Sequence, residues 1–271
     1  MEGIKQNMNI WGLFDSGNSC YKKAVYEYNS QWGGQHHITS IGIDRENKNS
    51  DFINQDLAIN TLFDDKALFE KLDMLDRPDV ILASPPCESW SIASAMKNGN
   101  ACWKKEFNTA TSLFGDIQAS SKFTIREHRD YERYQYKYGK SFLTRINGEM
   151  CTYNMVQIIE RYKPKIFIIE NPMQSRIWEY LEDVIGFKLP HKNRTYYSDY
   201  GYIIQKPTIF ASNINLGLRN NKTATKLAFK DIKSNGNGRY NERSNIPNEL
   251  IFDMIKKCEM EIMKNESKRA N

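Results

Sequence analysis

One cysteine of this chain sits in a setting suited to a nucleophile. In "LASPPCESWSIAS" (82–94) the apolar run Val80-Ile81-Leu82 leads into Ser84-Pro85-Pro86-Cys87. A thiolate is a strong nucleophile, but little of a free thiol is ionised at neutral pH, so the group must be activated and held. Two prolines fix the backbone ahead of it without needing amide donors. Further on, the apolar run "IFII" ends in Glu170-Asn171-Pro172. A carboxyl group behind four apolar residues is costly to ionise, which suits Glu170 to donating a proton.

A second set of residues suits a nucleotide-like ligand. Phe14, Asp15 and Gly17 lie in "LFDSGNS" (13–19), where glycine and small neighbours let backbone approach a ligand. Asp44 in "IGIDREN" can accept two ribose hydroxyls, and Asp56 in "INQDL" can accept from an adenine amino group. Each residue alone has an ordinary structural use. An acid after the second strand and another twelve residues later, beside a glycine loop, favour the chemical one.

The elements that must position these groups are short strands alternating with helices. Asn9–Phe14, Ile38–Ile43, Val80–Ala83 and Ile166–Ile169 are rich in Ile, Val, Leu or Phe, as strands covered on both faces are. Ser19–Tyr28 and Thr61–Leu75 read as helices, the latter with Leu62, Leu68, Leu72 and Leu75 near one face. This alternation predicts an α/β fold with a doubly wound, mostly parallel sheet, which binds ligands at the carboxyl ends of its strands. Residues 92–150 break the rhythm without a clear strand, and Pro247 opens a last helix.

The chain has 271 residues, 40% of them hydrophobic, enough to bury a core. No apolar stretch approaches the ~18 residues of a membrane span. "MEGIKQNMN" lacks a signal-peptide pattern, and five cysteines form no C-x-x-C pair, so the expected setting is cytoplasmic, with neither zinc nor a disulfide framework. The net charge of +5 is concentrated: 122–145 carries +4 and 213–246 carries +5. Two basic patches point to a polyanion, nucleic acid being the commonest. Arg126, Arg129, Arg133, Lys137 and Lys140 recur at three- and four-residue steps, as on one helical face, with Tyr131, Tyr134, Tyr138 and Phe142 beside them.

Taken together, these motifs resemble the C5-cytosine methyltransferases, which use S-adenosylmethionine. "LFDSG" is similar to that family's cofactor loop, "SPPCESWS" to its Pro-Cys nucleophile motif, and "IIENP" to its Glu-Asn motif. "YSDYGYIIQKPTIFAS" (197–212) resembles the later Tyr-Gly…Gln motif and the strand after it. The motifs run in the family's order over residues 10–212.

The resemblance implies a Rossmann-like class I methyltransferase fold over 1–271. Within it, 92–150 would be an inserted helical, basic segment, 213–246 a short basic loop region, and 247–268 a C-terminal helix. Cys87, Glu170 and Asn171 would be catalytic. Phe14, Asp15, Gly17, Asp44, Asp56 and Pro85 would hold S-adenosylmethionine. Ser84, Pro86, Gln205, Lys206, Arg126, Arg129 and Arg133 would meet the substrate. The implied partners are double-stranded DNA and a cognate restriction endonuclease, with the enzyme a monomer.

The sequence departs from the family at two places. Gln205-Lys206-Pro207-Thr208 stands where the family has paired arginines, and Tyr21 stands near the place of a third glycine. Three other readings stay open: the same chemistry on RNA, an amino-group methyltransferase, and a retired scaffold that binds nucleic acid without turnover.

Overall fold

The structure is a computed structural model describing residues 7–15, 20–43, 51–107, 121–225 and 245–270. They group into two compact units. A sheet unit comprises the chain up to Pro85, Asn154–Met173, and Leu189 onward; an insert unit comprises Pro86–Tyr153 and Gln174–Lys188.

The sheet unit is built on seven strands. They are β1 (Asn9–Leu13), β2 (His37–Gly42), β3 (Phe52–Asn54), β4 (Val80–Ala83), β7 (Ile166–Pro172), β8 (His191–Tyr196) and β9 (Pro207–Ser212). Their order is β3-β2-β1-β4-β7-β9-β8. The pairs are parallel from β3 through β7, while β9 runs antiparallel to both β7 and β8. The architecture is α/β with a mixed, mostly parallel sheet, compatible with a Rossmann-like fold. The chain steps outward from β1 to β2 and β3, then returns to β4 on the other flank of β1. That reversal is the topological switch point, where sheets of this kind bind ligands.

Each central strand is apolar on both faces because both are covered. On one face, helix α1 (Cys20–Trp32) and the last helix (Asn248–Ala270) pack Val25, Tyr28, Leu250 and Ile255 against Ile10, Val80, Ile168 and Phe210. On the other, Trp11 meets the Tyr162 ring edge-on at 4.6 Å between centroids. Tyr162 ends helix α3 (Tyr138–Tyr162). The last helix begins just past Pro247, whose carbonyl accepts from the amides of Leu250 and Ile251.

Thr61–Leu75 is not one helix. It holds only α2 (Lys66–Phe69) and a 3-10 turn at Leu72–Met74, and Leu62 is 75% exposed while Leu68 and Leu72 are buried. The reason lies in side chains that compete with helical hydrogen bonds. Asp56 Oδ1, Asn60 Oδ1 and Asp64 Oδ1 each accept the amide two residues on, at 2.8, 2.9 and 3.0 Å.

The insert unit corrects two more expectations. Residues 92–150 do contain strands, β5 (Trp103–Phe107) and β6 (Ser121–Ile125), paired antiparallel. Nor do residues 126–140 form one helix: a 3-10 turn covers His128–Tyr131, and α3 starts only at Tyr138. The unit's centre is aromatic. Trp90 and Trp103 stack at 5.3 Å, and Tyr180 lies 4.7 Å from Trp90. Tyr180 opens a π-helical turn (Tyr180–Ile185) that follows α4 (Ile177–Glu179). Asn100 ties the approach together, donating to the carbonyls of Ser89 and Ser91 and accepting from the amides of Cys102 and Trp103. Among the described residues no helix is long and apolar enough to cross a membrane.

Candidate active site

Three neighbouring strands, β1, β4 and β7, run side by side in the sheet unit, and polar residues stand at or just past their ends: Asp15, Ser84 and Glu170-Asn171. The ladder that pairs them also fixes these ends relative to one another: Leu13 is opposite Ala83, and Ala83 opposite Ile169. Beyond β4, the Ser84 amide bonds to Leu13 O at 3.2 Å, and Ser84 Oγ pairs with Tyr21 OH at 2.8 Å. Pro85 is buried. Its carbonyl accepts from Asn171 Nδ2 at 3.0 Å, so the Glu-Asn end of β7 holds the chain two residues ahead of Cys87. Asn171 is fully buried, and its Oδ1 has no hydrogen-bond partner among the described residues.

Glu170 is 8% exposed. Its Oε1 accepts from Tyr197 OH at 3.3 Å, and Lys206 Nζ lies 3.8 Å from the same oxygen. Lys206 also reaches Tyr197 OH at 3.4 Å and sits over the Tyr197 ring, 4.6 Å from its centroid. Tyr197 and Lys206 flank the connection between β8 and β9 and are drawn together where the Tyr197 amide bonds to Lys206 O. The carboxyl behind "IFII" is therefore not left alone in an apolar setting. A hydroxyl and an ammonium attend one of its oxygens.

Burial pushes the Tyr197 hydroxyl well above the ordinary tyrosine value, with the Glu170 charge adding to it. Burial likewise pushes the Cys20 thiol up to about 11; a hydrogen bond with the Ile246 backbone opposes this, and the charges of Asp15 and Glu170 reinforce it. Cys20 is thus held as a thiol at neutral pH. Burial does the same for Cys102, to about 11, and for Cys258, to about 12. Cys87 lies in the insert unit, half-buried, and its carbonyl accepts from the amides of Trp90 and Ser91. Those bonds fold the residues after the prolines into a turn. Pro86, the first residue of the insert unit, is half-buried.

The expected ligand acids fare unequally. Asp15 turns inward: it is 8% exposed, and its Oδ2 accepts from Ser40 Oγ at 2.8 Å. Two glycines make this possible. A Cβ at Gly42 would stand 2.3 Å from Asp15 O, and one at Gly12 would stand 3.0 Å from Asp15 Oδ2. Asp15 braces β1 against β2. Phe14 is half-buried with φ +60, a conformation costing a bulky residue about 1–3 kcal/mol that clusters at functional sites. Asp56 is exposed beyond β3 and gives Oδ1 to its own turn. Gly17 and Asp44 lie outside the described residues.

The residues expected to meet substrate also divide. Gln205 Nε2 donates to the carbonyls of Lys222 and Thr223, which fastens the chain after β9. Asp199 completes that clasp by accepting from Asn221, Lys222 and Thr223. Arg126 is 7% exposed, and its guanidinium donates to Asn100 O and Lys97 O, both at 2.6 Å. It is a strut inside the insert unit, not a free cation on a stripe. Arg129 is exposed and paired with Glu127, while Arg133 is exposed. Sequence reasoning missed Tyr197, although it opens the quoted 197–212 segment. Nothing in the sequence says that this ring, of fifteen tyrosines, turns toward Glu170.

No protein-family model matches the chain, and no curated protein matches it.

Proposed function

We propose that the protein transfers a methyl group from S-adenosylmethionine to C5 of cytosine in DNA. The observation that carries this reading is the Asn171–Pro85 hydrogen bond, which ties the Glu-Asn strand end to the strand end that leads into Cys87. A nucleophile and an acid must be fixed to act on one ring, and this bond joins the two segments that bear them.

The chemistry follows from the residues. The Cys87 thiolate adds to C6 of the cytosine while Glu170 donates a proton toward N3, which leaves C5 enamine-like. C5 takes the methyl group, H5 leaves as a proton, and the C6–S bond breaks to restore the ring and the thiolate. Tyr197 and Lys206 both address Oε1 of Glu170, so Oε2 is the oxygen left to carry the proton outward. The cofactor, when bound, supplies an electrophilic methyl group. The residues fit it in part: the switch point opens beside Phe14, Ser84 and Pro85, and Asp56 is exposed beyond β3 with one oxygen uncommitted to its turn. Asp56 and Asp44 would hold the adenine and ribose. Because C5 and C6 lie within the duplex stack, the base must be turned out of it, at a cost of a few kcal/mol.

Trapping tests the reading. A duplex with 5-fluorocytosine at the target cannot lose fluorine as a proton, so the C6–S adduct should persist through denaturation and add the oligonucleotide's mass to the protein. Cys87→Ser should form no adduct. Methyl transfer that survives Cys87→Ser, or that lands on an amino nitrogen, would overturn the C5 mechanism.

A further inference from the structure

We propose that Tyr197 and Lys206 form one interlocked positioning unit for Glu170, each keeping the other in the place from which it holds the carboxyl group. The inference rests on the methyltransferase reading for what the held carboxyl does, and on contacts of its own for the holding.

The two side chains start from one rung of the sheet. Tyr196 and Pro207 are the last paired residues of β8 and β9, and one step further the Tyr197 amide bonds to Lys206 O at 3.4 Å. β9 pairs in turn with β7, with Phe210 opposite Glu170, so the hairpin delivers both residues to that strand end. All three groups are sheltered from water. Tyr197 is fully buried, and the Glu170 and Lys206 side chains are 11% and 16% exposed.

Donation runs one way through them. Lys206 Nζ donates to Tyr197 OH at 3.4 Å, Tyr197 OH donates to Glu170 Oε1 at 3.3 Å, and Nζ itself lies 3.8 Å from that oxygen. An ammonium has only protons to give and a carboxylate only lone pairs, so the hydroxyl between them has one sensible direction. Burial, which holds that hydroxyl well above the ordinary tyrosine value, keeps it a donor. Receiving an N–H strengthens the O–H it gives. The ring does a second job, seating the ammonium 4.6 Å from its centroid.

Each polar contact is long for its kind, so none alone fixes the carboxyl. The closed set of three does. Tyr197 as packing alone would need no hydroxyl, since its ring already meets Tyr202 edge-on at 5.8 Å within the apolar cluster. Lys206 as a counter-charge alone would need no ring beneath it. With donors converging on Oε1, the proton to be given is confined to Oε2 and the carboxyl plane is set.

The experiment uses the full chain. Tyr197→Phe removes the hydroxyl and keeps the ring, Lys206→Met removes the ammonium and keeps the stem, and Lys206→Arg returns a cation. In steady-state methyl transfer to duplex DNA, the first two should each lower kcat about tenfold, with KM unchanged for DNA and for S-adenosylmethionine. The double variant should be no slower than the slower single, and Lys206→Arg should recover part of the rate. A wild-type kcat in either single variant, a loss carried by KM, or losses that multiply in the double variant would each overturn the proposal. Urea unfolding of wild type, the Phe and Met variants and their double tests the interlock without turnover. Non-additive stabilities support it and additive ones sink it. A wild type that puts no methyl group on cytosine C5, yet shows that coupling, loses the methyltransferase reading and keeps the interlock.

Discussion

The ends of β1, β4 and β7 and the 126–140 stretch both concentrate polar side chains, but those side chains end up bonded to different things. At the strand ends most of these bonds join side chain to side chain, Tyr21 with Ser84, Asp15 with Ser40, Glu170 with Tyr197 and Lys206, while Asn171 reaches the Pro85 carbonyl. In 126–140 the buried contacts join side chain to backbone, Arg126 serving two carbonyls and Tyr134 the Lys97 amide, while the side-chain pair of Arg129 with Glu127 is exposed. The difference follows from what the backbone already has. A parallel ladder satisfies its own amides and carbonyls up to the strand's last residue, so most polar side chains there are left to pair with one another. An irregular segment leaves carbonyls that must find donors, and the nearest arginine is consumed.

That contrast breaks most sharply at Glu170. Glu170→Gln keeps the shape but has no proton to give, so methyl transfer should fall at least about a hundredfold in single-turnover assays while the melting temperature holds. A loss of stability with little loss of rate would move Glu170 from the chemical to the structural side. Arg126→Met makes the converse case. It strands two carbonyls, so urea unfolding should show a loss of roughly 1.5–3 kcal/mol. If the change is neutral, the strut is not one.

Gly148→Ala sharpens the comparison inside the insert unit. In an exposed helix the change would gain about 1 kcal/mol. Here the added Cβ would lie 1.9 Å from buried Ser89 Oγ, so thermal denaturation should instead show a loss of about 1–3 kcal/mol. Arg129→Gln should change stability least, by under about 0.5 kcal/mol in the same assay, because its pair with Glu127 is solvated.

What was legible in the sequence follows the same division. Strands β1, β2, β4 and β7 are readable because burial on both faces writes continuous apolar runs, and the acids and prolines at their ends can be read straight after them. β3 escaped because three residues, "FIN", make no pattern. The 126–140 stripe misled because its spacing of cations is helical while its conformation is set by the carbonyls Arg126 had to satisfy. Thr61–Leu75 misled for a related reason, since Asp56, Asn60 and Asp64 hold the backbone in turns that leucine spacing does not reveal. Asp15 illustrates the limit at the strand ends themselves. Its position was readable, but its inward turn depends on Gly42, which is distant in sequence and adjacent in space.

The antiparallel position of β9 has a consequence for assembly. β8 comes earlier in the chain, and among the described residues it pairs with β9 alone, which in turn pairs with β7. During synthesis β8 therefore emerges with no strand to pair with, and β7 waits with one edge bare. The β8–β9 hairpin is local in the chain, whereas its docking on β7 joins residues such as Ile168 and Ser212 that are well separated in sequence. Tyr197 and Lys206 ride on that hairpin. A chain halted before Tyr197 would carry Glu170 without the two groups that attend it, and an open strand edge ready to recruit another copy.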